Sequence, residues 1–224
     1  MKIAVVLSGC GVRDGAEIHE SVLALLAIKQ HNAEYVCFAP NIPQKVTIDH
    51  ATGKETQEKR SVLSEAGRIA RGEIQPLEKL DPEAFNGVFL PGGYGVALNL
   101  SNYADKNVEC EVDPILKKCI LQFHQLKKPI GASCLAPILL AKIFQGVASI
   151  KMTMGTAQEP IKELKALGMQ PVSSKADEVV SDDANKVYTT PAYMEQTDIA
   201  HIYKGISQVI QKVVSNAEFK YLCY

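Results

Sequence analysis

The segment Lys128-Pro129-Ile130-Gly131-Ala132-Ser133-Cys134-Leu135-Ala136-Pro137 places a cysteine where nucleophilic chemistry is easily arranged. A short apolar strand runs into a turn of small residues, the thiol sits at the turn, and an apolar helix follows from Ala136 to Phe144. Strand, tight turn and helix in that order make a nucleophile elbow. Small neighbours let the backbone turn sharply, so the central side chain projects from the sheet edge. The helix start offers free N–H groups and the positive end of a dipole, both of which favour a thiolate over a thiol. Cys134 is therefore expected to alkylate faster than the other cysteines, Cys223 included. In the serine form of the motif, G-x-S-x-G, Cys134 takes the place of the serine and Ala136 that of the second glycine. The alternative is a small buried cysteine at a strand–helix junction, since free cysteine is among the most buried residue types.

An elbow needs a sheet to stand on. Apolar runs of strand length at Ile3–Ser8, Tyr35–Ala39, Gly87–Pro91, Ser149–Met154, Glu178–Ser181 and Lys186–Thr190 alternate with helical patterns. The helices are expected at Ile18–Gln30, Asp113–Leu126, Glu159–Leu167 and Ile199–Val214, with the elbow strand and helix between the second and third. Between the second strand and Gly87, Lys45–Asp49 and Ala51–Lys54 suggest a short hairpin and Ser61–Arg71 a helix. Such alternation predicts an α/β fold: a flavodoxin-like, doubly wound, mostly parallel sheet with helices on both faces. In such sheets ligands bind beyond the carboxyl ends of the strands. Ser8–Gly11, Pro91–Gly95, Ser133-Cys134 and Thr189–Tyr193 all follow strands directly, so a parallel sheet gathers them on the edge that carries Cys134.

The 224 residues can bury a full core, and with no repeat or linker residues 1–224 are expected to form a single domain. A net charge of -1 gives no electrostatic case for nucleic acid or an anionic membrane as partner. The run Lys54–Arg60 mixes both signs and reads as a solvated surface. Six cysteines (Cys10, Cys37, Cys110, Cys119, Cys134, Cys223) contain no C-x-x-C pair, which argues against a zinc site and a dense disulfide framework. A reducing compartment fits this usage, and a cytoplasmic location is expected. Leu7-Ser8-Gly9-Cys10 could pass for a lipoprotein cleavage box, but the apolar run before it is shorter than the roughly 7–15 residues of a secretory core and reads as the first strand. No segment approaches the ~20 apolar residues of a membrane span.

Several segments, taken in order, carry a family resemblance. They are Leu7–Gly11, Asp14-Gly15 with Glu17-Ile18-His19-Glu20, Cys37–Pro40, Arg71–Ile74, Pro91–Gly93, Asn99–Asn102, Cys134 with Ala136-Pro137, and Thr189–Met194. On these the chain resembles the class I glutamine amidotransferase-like superfamily, in the branch of the PfpI and Parkinson-associated deglycase proteins. Within it the chain is similar to the enhancing-lycopene-biosynthesis (ElbB) proteins, described as glyoxalases. The resemblance implies Cys134 as elbow nucleophile and Glu20 as the carboxylate against its thiol. It implies the backbone N–H groups of Gly93 and Leu135 as an oxyanion hole, where donors act on charge developing in a water-poor site. Gly92 and Thr190 are expected to contact substrate, and His19 either to contact substrate or simply to sit against the loop. Without the resemblance Glu20 would read as a solvated helix glutamate.

Two departures narrow the activity. Relatives with protease or amidotransferase activity place a histidine shortly after the elbow helix, or an H-x-E pair near the C-terminus. Neither occurs in Ile150–Thr156 or Thr190–Gln196. Without that base, glutamine hydrolysis and proteolysis lose their proton carrier. The resemblance then implies a cofactor-free and metal-free glyoxalase acting on a small aldehyde, as a homodimer. It would convert glyoxal, and methylglyoxal in the same way, to a 2-hydroxy acid through a Cys134 hemithioacetal and an enediol. The family name points to isoprenoid metabolism, yet none of these residues binds a prenyl diphosphate, so that link is indirect. The alternative is a non-enzymatic regulator or redox sensor working through oxidation of Cys134.

Overall fold

The computed structural model describes residues 1–217, so Cys223 lies outside the described residues. The chain runs β1 (Lys2–Val6), α1 (Ile18–Gln30), β2 (Glu34–Ala39), β3 (Thr47–Asp49), β4 (Lys54–Thr56), α2 (Val62–Ile69), β5 (Ile74–Pro76) and β6 (Gly87–Leu90). Two single-turn helices follow, α3 (Gly95–Leu98) and α4 (Tyr103–Lys106), then α5 (Pro114–Gln125), β7 (Ile130–Ser133) and α6 (Pro137–Phe144). The last part holds β8 (Lys151–Met152), α7 (Gln158–Ala166), β9 (Gln170–Pro171), β10 (Val180–Asp182), β11 (Val187–Thr190) and α8 (Ile199–Ala217).

The central sheet has the order β10-β11-β7-β6-β1-β2-β5. Every pairing in it is parallel except β10 with β11 at the edge. Period-2 alternation divides the core between two faces. Ala4, Val6, Val88, Leu90, Ile130 and Ala132 face the layer built by α5 and α6. Ile3, Val5, Phe89 and Tyr188 face α1, α2 and α8. Both layers are helical, so the fold is the expected flavodoxin-like α/β sandwich. Among the described residues no helix is long and apolar enough to cross a membrane.

Local chemistry sets the helix starts that matter. Glu17 caps α1, its carboxylate accepting from Glu20 N at 2.7 Å, and Asp113 caps α5 by accepting from Ile115 N and Leu116 N, with Pro114 at the first helical position. The hairpin expected in the 45–54 region forms as β3 and β4, which pair antiparallel apart from the main sheet.

One expected strand behaves differently. Ser149–Met154 has the apolar alternation of a sheet strand, but only Lys151–Met152 is extended in a ladder, and its partner is β9 in a separate two-stranded sheet. Its backbone amides go instead to side chains: Lys151 N donates to Asp182 Oδ2 at 2.9 Å and Thr153 N to Thr189 Oγ1 at 3.0 Å. Side-chain acceptors on β10 and β11 hold this segment beside the main sheet without extending it.

Candidate active site

The carboxyl ends of β1, β6, β7 and β11 lie side by side because these strands are parallel neighbours. The loops after them meet at Cys134. Its amide donates to Thr190 O at 3.0 Å, tying the end of β7 to the end of β11, and Ala136 N closes a turn on Ser133 O at 3.0 Å. Cys134 itself has φ 57°, a left-handed conformation that is uncommon for a residue with a Cβ. Holding it there costs about 1–3 kcal/mol, supplied by the surrounding pairing. The turn aims the sulfur across the sheet edge at the first turn of α1.

Glu20 meets it there. The carboxyl is fully buried, and its Oε2 accepts from Ser133 Oγ at 2.7 Å and from Gly92 N at 2.9 Å. Oε1 is buried with no hydrogen-bond partner among the described residues, and the Cys134 side chain lies against the same carboxyl. Burial raises Glu20 to about 7, aided by the charge of Glu17 and opposed by the bonds from Ser133, Gly92 and Cys134. The group is therefore poised to give or take a proton near neutral pH.

The thiol does not follow the expectation of a lowered pKa. Cys134 is 8 % exposed, and burial pushes its thiol well above the ordinary cysteine value, with the charge of Glu20 adding to the effect. The backbone N–H groups of Gly93 and Leu135 pull the other way, but they are outweighed. The helix end that promised a thiolate begins at Pro137, three residues on, and the carboxyl is in contact. Thiol and carboxyl thus compete for negative charge, and a nucleophile forms as the pair passes its proton on. Removing the Glu20 charge should therefore lower the pH at which Cys134 reacts. Iodoacetamide labelling followed by peptide mass spectrometry should show the Cys134 profile moved to lower pH in Glu20→Gln, whereas coincident profiles would mean the carboxyl has no hold on the thiol.

Two glycines make the contact geometrically possible. A Cβ on Gly92 would lie 2.4 Å from Cys134 Cβ and 3.0 Å from both Sγ and Glu20 Oε2. Gly93 has φ +96°, and a Cβ there would lie 2.4 Å from Glu17 N and Gly15 O. Gly92 thus makes room for the thiol and holds Glu20 through its amide, while Gly93 turns its own amide to the sulfur. Thr190, expected at the substrate, is fully buried, and its hydroxyl donates to Ala176 O at 3.1 Å. Its carbonyl anchors Cys134, so it holds the elbow and offers no hydroxyl to a ligand. His19 is exposed at the rim, its Nδ1 2.8 Å from the Tyr193 hydroxyl.

Ser133, Glu17 and Tyr193 also belong to this constellation and carry no role in the sequence reading. The signal for Ser133 was a polar residue at the buried end of an otherwise apolar strand. Tyr193 stood in a quoted segment, but nothing local marks which way its ring turns. Among the described residues no group of three or more His, Cys, Asp and Glu side chains is placed to hold a metal. An open groove of about 650 Å³ lined by Lys175, Asp177, Glu195, His201 and Lys204 includes neither Cys134 nor Glu20. The Cys134–Glu20 pair is almost closed off from solvent.

No family model matches the chain. It is 40% identical over 223 residues to the ES1 protein homolog, mitochondrial, of Rattus norvegicus, covering 95% of this chain and 83% of the relative. It is equally 40% identical over 223 residues to the glutamine amidotransferase-like class 1 domain-containing protein 3, mitochondrial, of Homo sapiens, covering 95% and 82%. Among solved structures, an isoprenoid biosynthesis protein with amidotransferase-like domain from Ehrlichia chaffeensis aligns with TM-score 0.89 at 36% identity, over 96% of this chain and 99% of that one. DJ-1beta of Drosophila melanogaster, at TM-score 0.53 and 18% identity over 96% and 95%, shares the fold. The expected cytoplasmic location is corrected by these names: the curated rat, human and Danio rerio relatives are each named mitochondrial, which points away from the cytoplasm.

Proposed function

Given that the chain belongs to the ES1 family of glutamine amidotransferase-like class 1 domain proteins, on a DJ-1/PfpI-type fold whose superfamily includes enzymes, we propose that it is a cofactor-independent glyoxalase of the enhancing-lycopene-biosynthesis type, converting glyoxal to glycolate. The observation that carries this reading is the buried Glu20 carboxyl, held near neutral pH against the Cys134 thiol. Among the described residues no histidine bonds either group. One carboxyl must then serve as both acid and base, which suits an isomerisation better than a hydrolysis that has to protonate a leaving amine.

The steps balance without an outside redox agent. The sulfur adds to one aldehyde carbon of glyoxal, and the carbonyl oxygen of that carbon takes the thiol proton, giving a hemithioacetal beside the Gly93 and Leu135 amides. Glu20, as carboxylate, removes the C–H proton of the same carbon, the electron pair forms a double bond to its neighbour, and the neighbour's carbonyl pair moves to its oxygen, which takes a proton drawn ultimately from water, giving an enediol. Protonation of the neighbouring carbon by Glu20 and loss of the first oxygen's proton leave a thioester. Water then releases glycolate and the free thiol. One carbon is oxidised and the other reduced, so oxidation states exchange within the substrate. A carboxyl near 7 sits close to the optimum for both proton transfers.

The redox-sensor reading is less well supported, because sensor cysteines are accessible and low in pKa, whereas Cys134 is buried and its thiol pushed up. Incubation of the purified protein with glyoxal, without added thiol, metal or cofactor, should yield glycolate catalytically by mass spectrometry. A stoichiometric Cys134 adduct with no glycolate would overturn the proposal.

A further inference from the structure

An enediol carries two oxygens, and the arrangement described so far serves one. The Gly93 and Leu135 amides act on the Cys134 sulfur, so in a hemithioacetal they would serve the oxygen next to it. The oxygen on the adjacent carbon needs its own donor, because negative charge arrives there as the double bond forms, and in a water-poor site an unserved oxygen raises the barrier.

The backbone delivers one candidate. β11 ends at Thr190, whose carbonyl holds the Cys134 amide. The chain then turns back through Ala192, a fully buried residue at φ 47°, and a tight turn closed by Met194 N on Pro191 O at 3.0 Å. This left-handed residue reverses the chain directly after the strand end. Its consequence is that the half-buried Tyr193 packs on the same apolar cluster as Cys134 and Ala192. The phenol meets His19 at 2.8 Å, with ring centroids 5.9 Å apart. His19 precedes Glu20 in the first turn of α1, so its bond to the phenol ties the loop after β11 to the helix turn that carries Glu20. Burial, then the charges of Glu17 and Glu20, raise the phenol above its ordinary value, which keeps it an O–H donor at neutral pH.

Resting on the glyoxalase reading, we propose that Tyr193 is a further catalytic residue, donating its hydroxyl proton to the second oxygen of a 1,2-dicarbonyl substrate, with His19 as its positioning residue. With His19 Nδ1–H donating to the phenol oxygen, the Tyr193 O–H is free to point at substrate. As Glu20 takes the C–H proton, the electron pair of the adjacent carbonyl moves to its oxygen, which takes the Tyr193 proton. His19, exposed to water, restores that proton, and the proton lost from the first oxygen on collapse to the thioester returns to water. The arrangement selects for substrate class: a simple aldehyde forms the hemithioacetal but offers Tyr193 no second oxygen.

The test uses glyoxal with the wild type, Tyr193→Phe, His19→Ala and His19→Asn, reading kcat, KM and the rate of Cys134 adduct formation by mass spectrometry. Loss of one such donor costs roughly 10²-fold in kcat, so Tyr193→Phe should fall by about that much while KM and adduct formation stay near wild type. His19→Ala should fall as well, and His19→Asn, whose amide N–H reaches the Nδ1 position, should recover most of the loss. A merely structural role for Tyr193 would slow adduct formation together with turnover and would not respond to the asparagine. Wild-type turnover in Tyr193→Phe, or His19→Asn no better than His19→Ala, overturns the assignment alone. Absence of glycolate from the wild type overturns the glyoxalase reading and this assignment with it.

Discussion

Cys134→Ser is expected to lose glyoxal turnover outright, and Glu20→Gln to lose about 10²–10⁴ of it while still forming the hemithioacetal. The two losses have different causes. Serine leaves an alcohol that Glu20, at about 7, cannot ionise to any useful extent, and an alkoxide would be buried where even the thiol is pushed up. Glutamine is close to isosteric with Glu20. Its carbonyl can still accept from Ser133 Oγ and Gly92 N, now at 2.7 and 2.9 Å from Oε2, and its amide can face the sulfur. What it cannot do is take the C–H proton, so the reaction should stop at the adduct. Intact-protein mass spectrometry after a glyoxal pulse, beside steady-state glycolate production, separates binding from proton transfer. Glu20→Gln turning over at the wild-type rate would remove the enediol mechanism.

The second large effect is on stability. Glu20 is fully buried and its carboxyl rises from 4.5 to about 7 on folding. The folded state therefore binds the proton more tightly than the unfolded chain. Its contribution to stability is fully present below pH 4.5 and is lost as pH rises through about 7, beyond which the ionised carboxyl opposes folding. At 1.36 kcal/mol for each pH unit between those values, the loss is about 3 kcal/mol. Glu20→Gln has no charge to bury. Its stability relative to wild type should be flat below pH 4.5, climb between there and neutrality, and level off about 3 kcal/mol higher. Urea unfolding of both proteins across pH 4 to 9 reads the difference, from which the other carboxylates cancel because both chains carry them. A difference that does not vary with pH would mean that Glu20 is ionised in the fold at no cost.

The position of Cys134 was legible in the sequence because an elbow is local. An apolar strand, small residues and a helix within ten positions leave the backbone few ways to turn, and the parallel sheet follows from alternation along the chain. Period-2 and helical patterns depend on near neighbours, so β1, β6, β7, β11 and the helices between them could be placed, and with them the shared edge where the loops meet. Ser149–Met154 misled because its alternation is that of a strand, while its amides are taken by Asp182 and Thr189 side chains from elsewhere.

The protonation state of the site was decided only in three dimensions. The Ser133–Glu20 bond joins residues 113 apart, the Gly92–Glu20 bond residues 72 apart, and the His19–Tyr193 bond residues 174 apart. Glu20 reads as a solvated glutamate until tertiary packing removes water from it, and Cys134 reads as a helix-end thiolate until the same packing sets a carboxyl against it. Burial and close charge contact govern a pKa, and both are properties of the assembled chain. Local pattern along the chain sets which side chain stands at the sheet edge, and packing sets how tightly each of the two buried groups holds a proton.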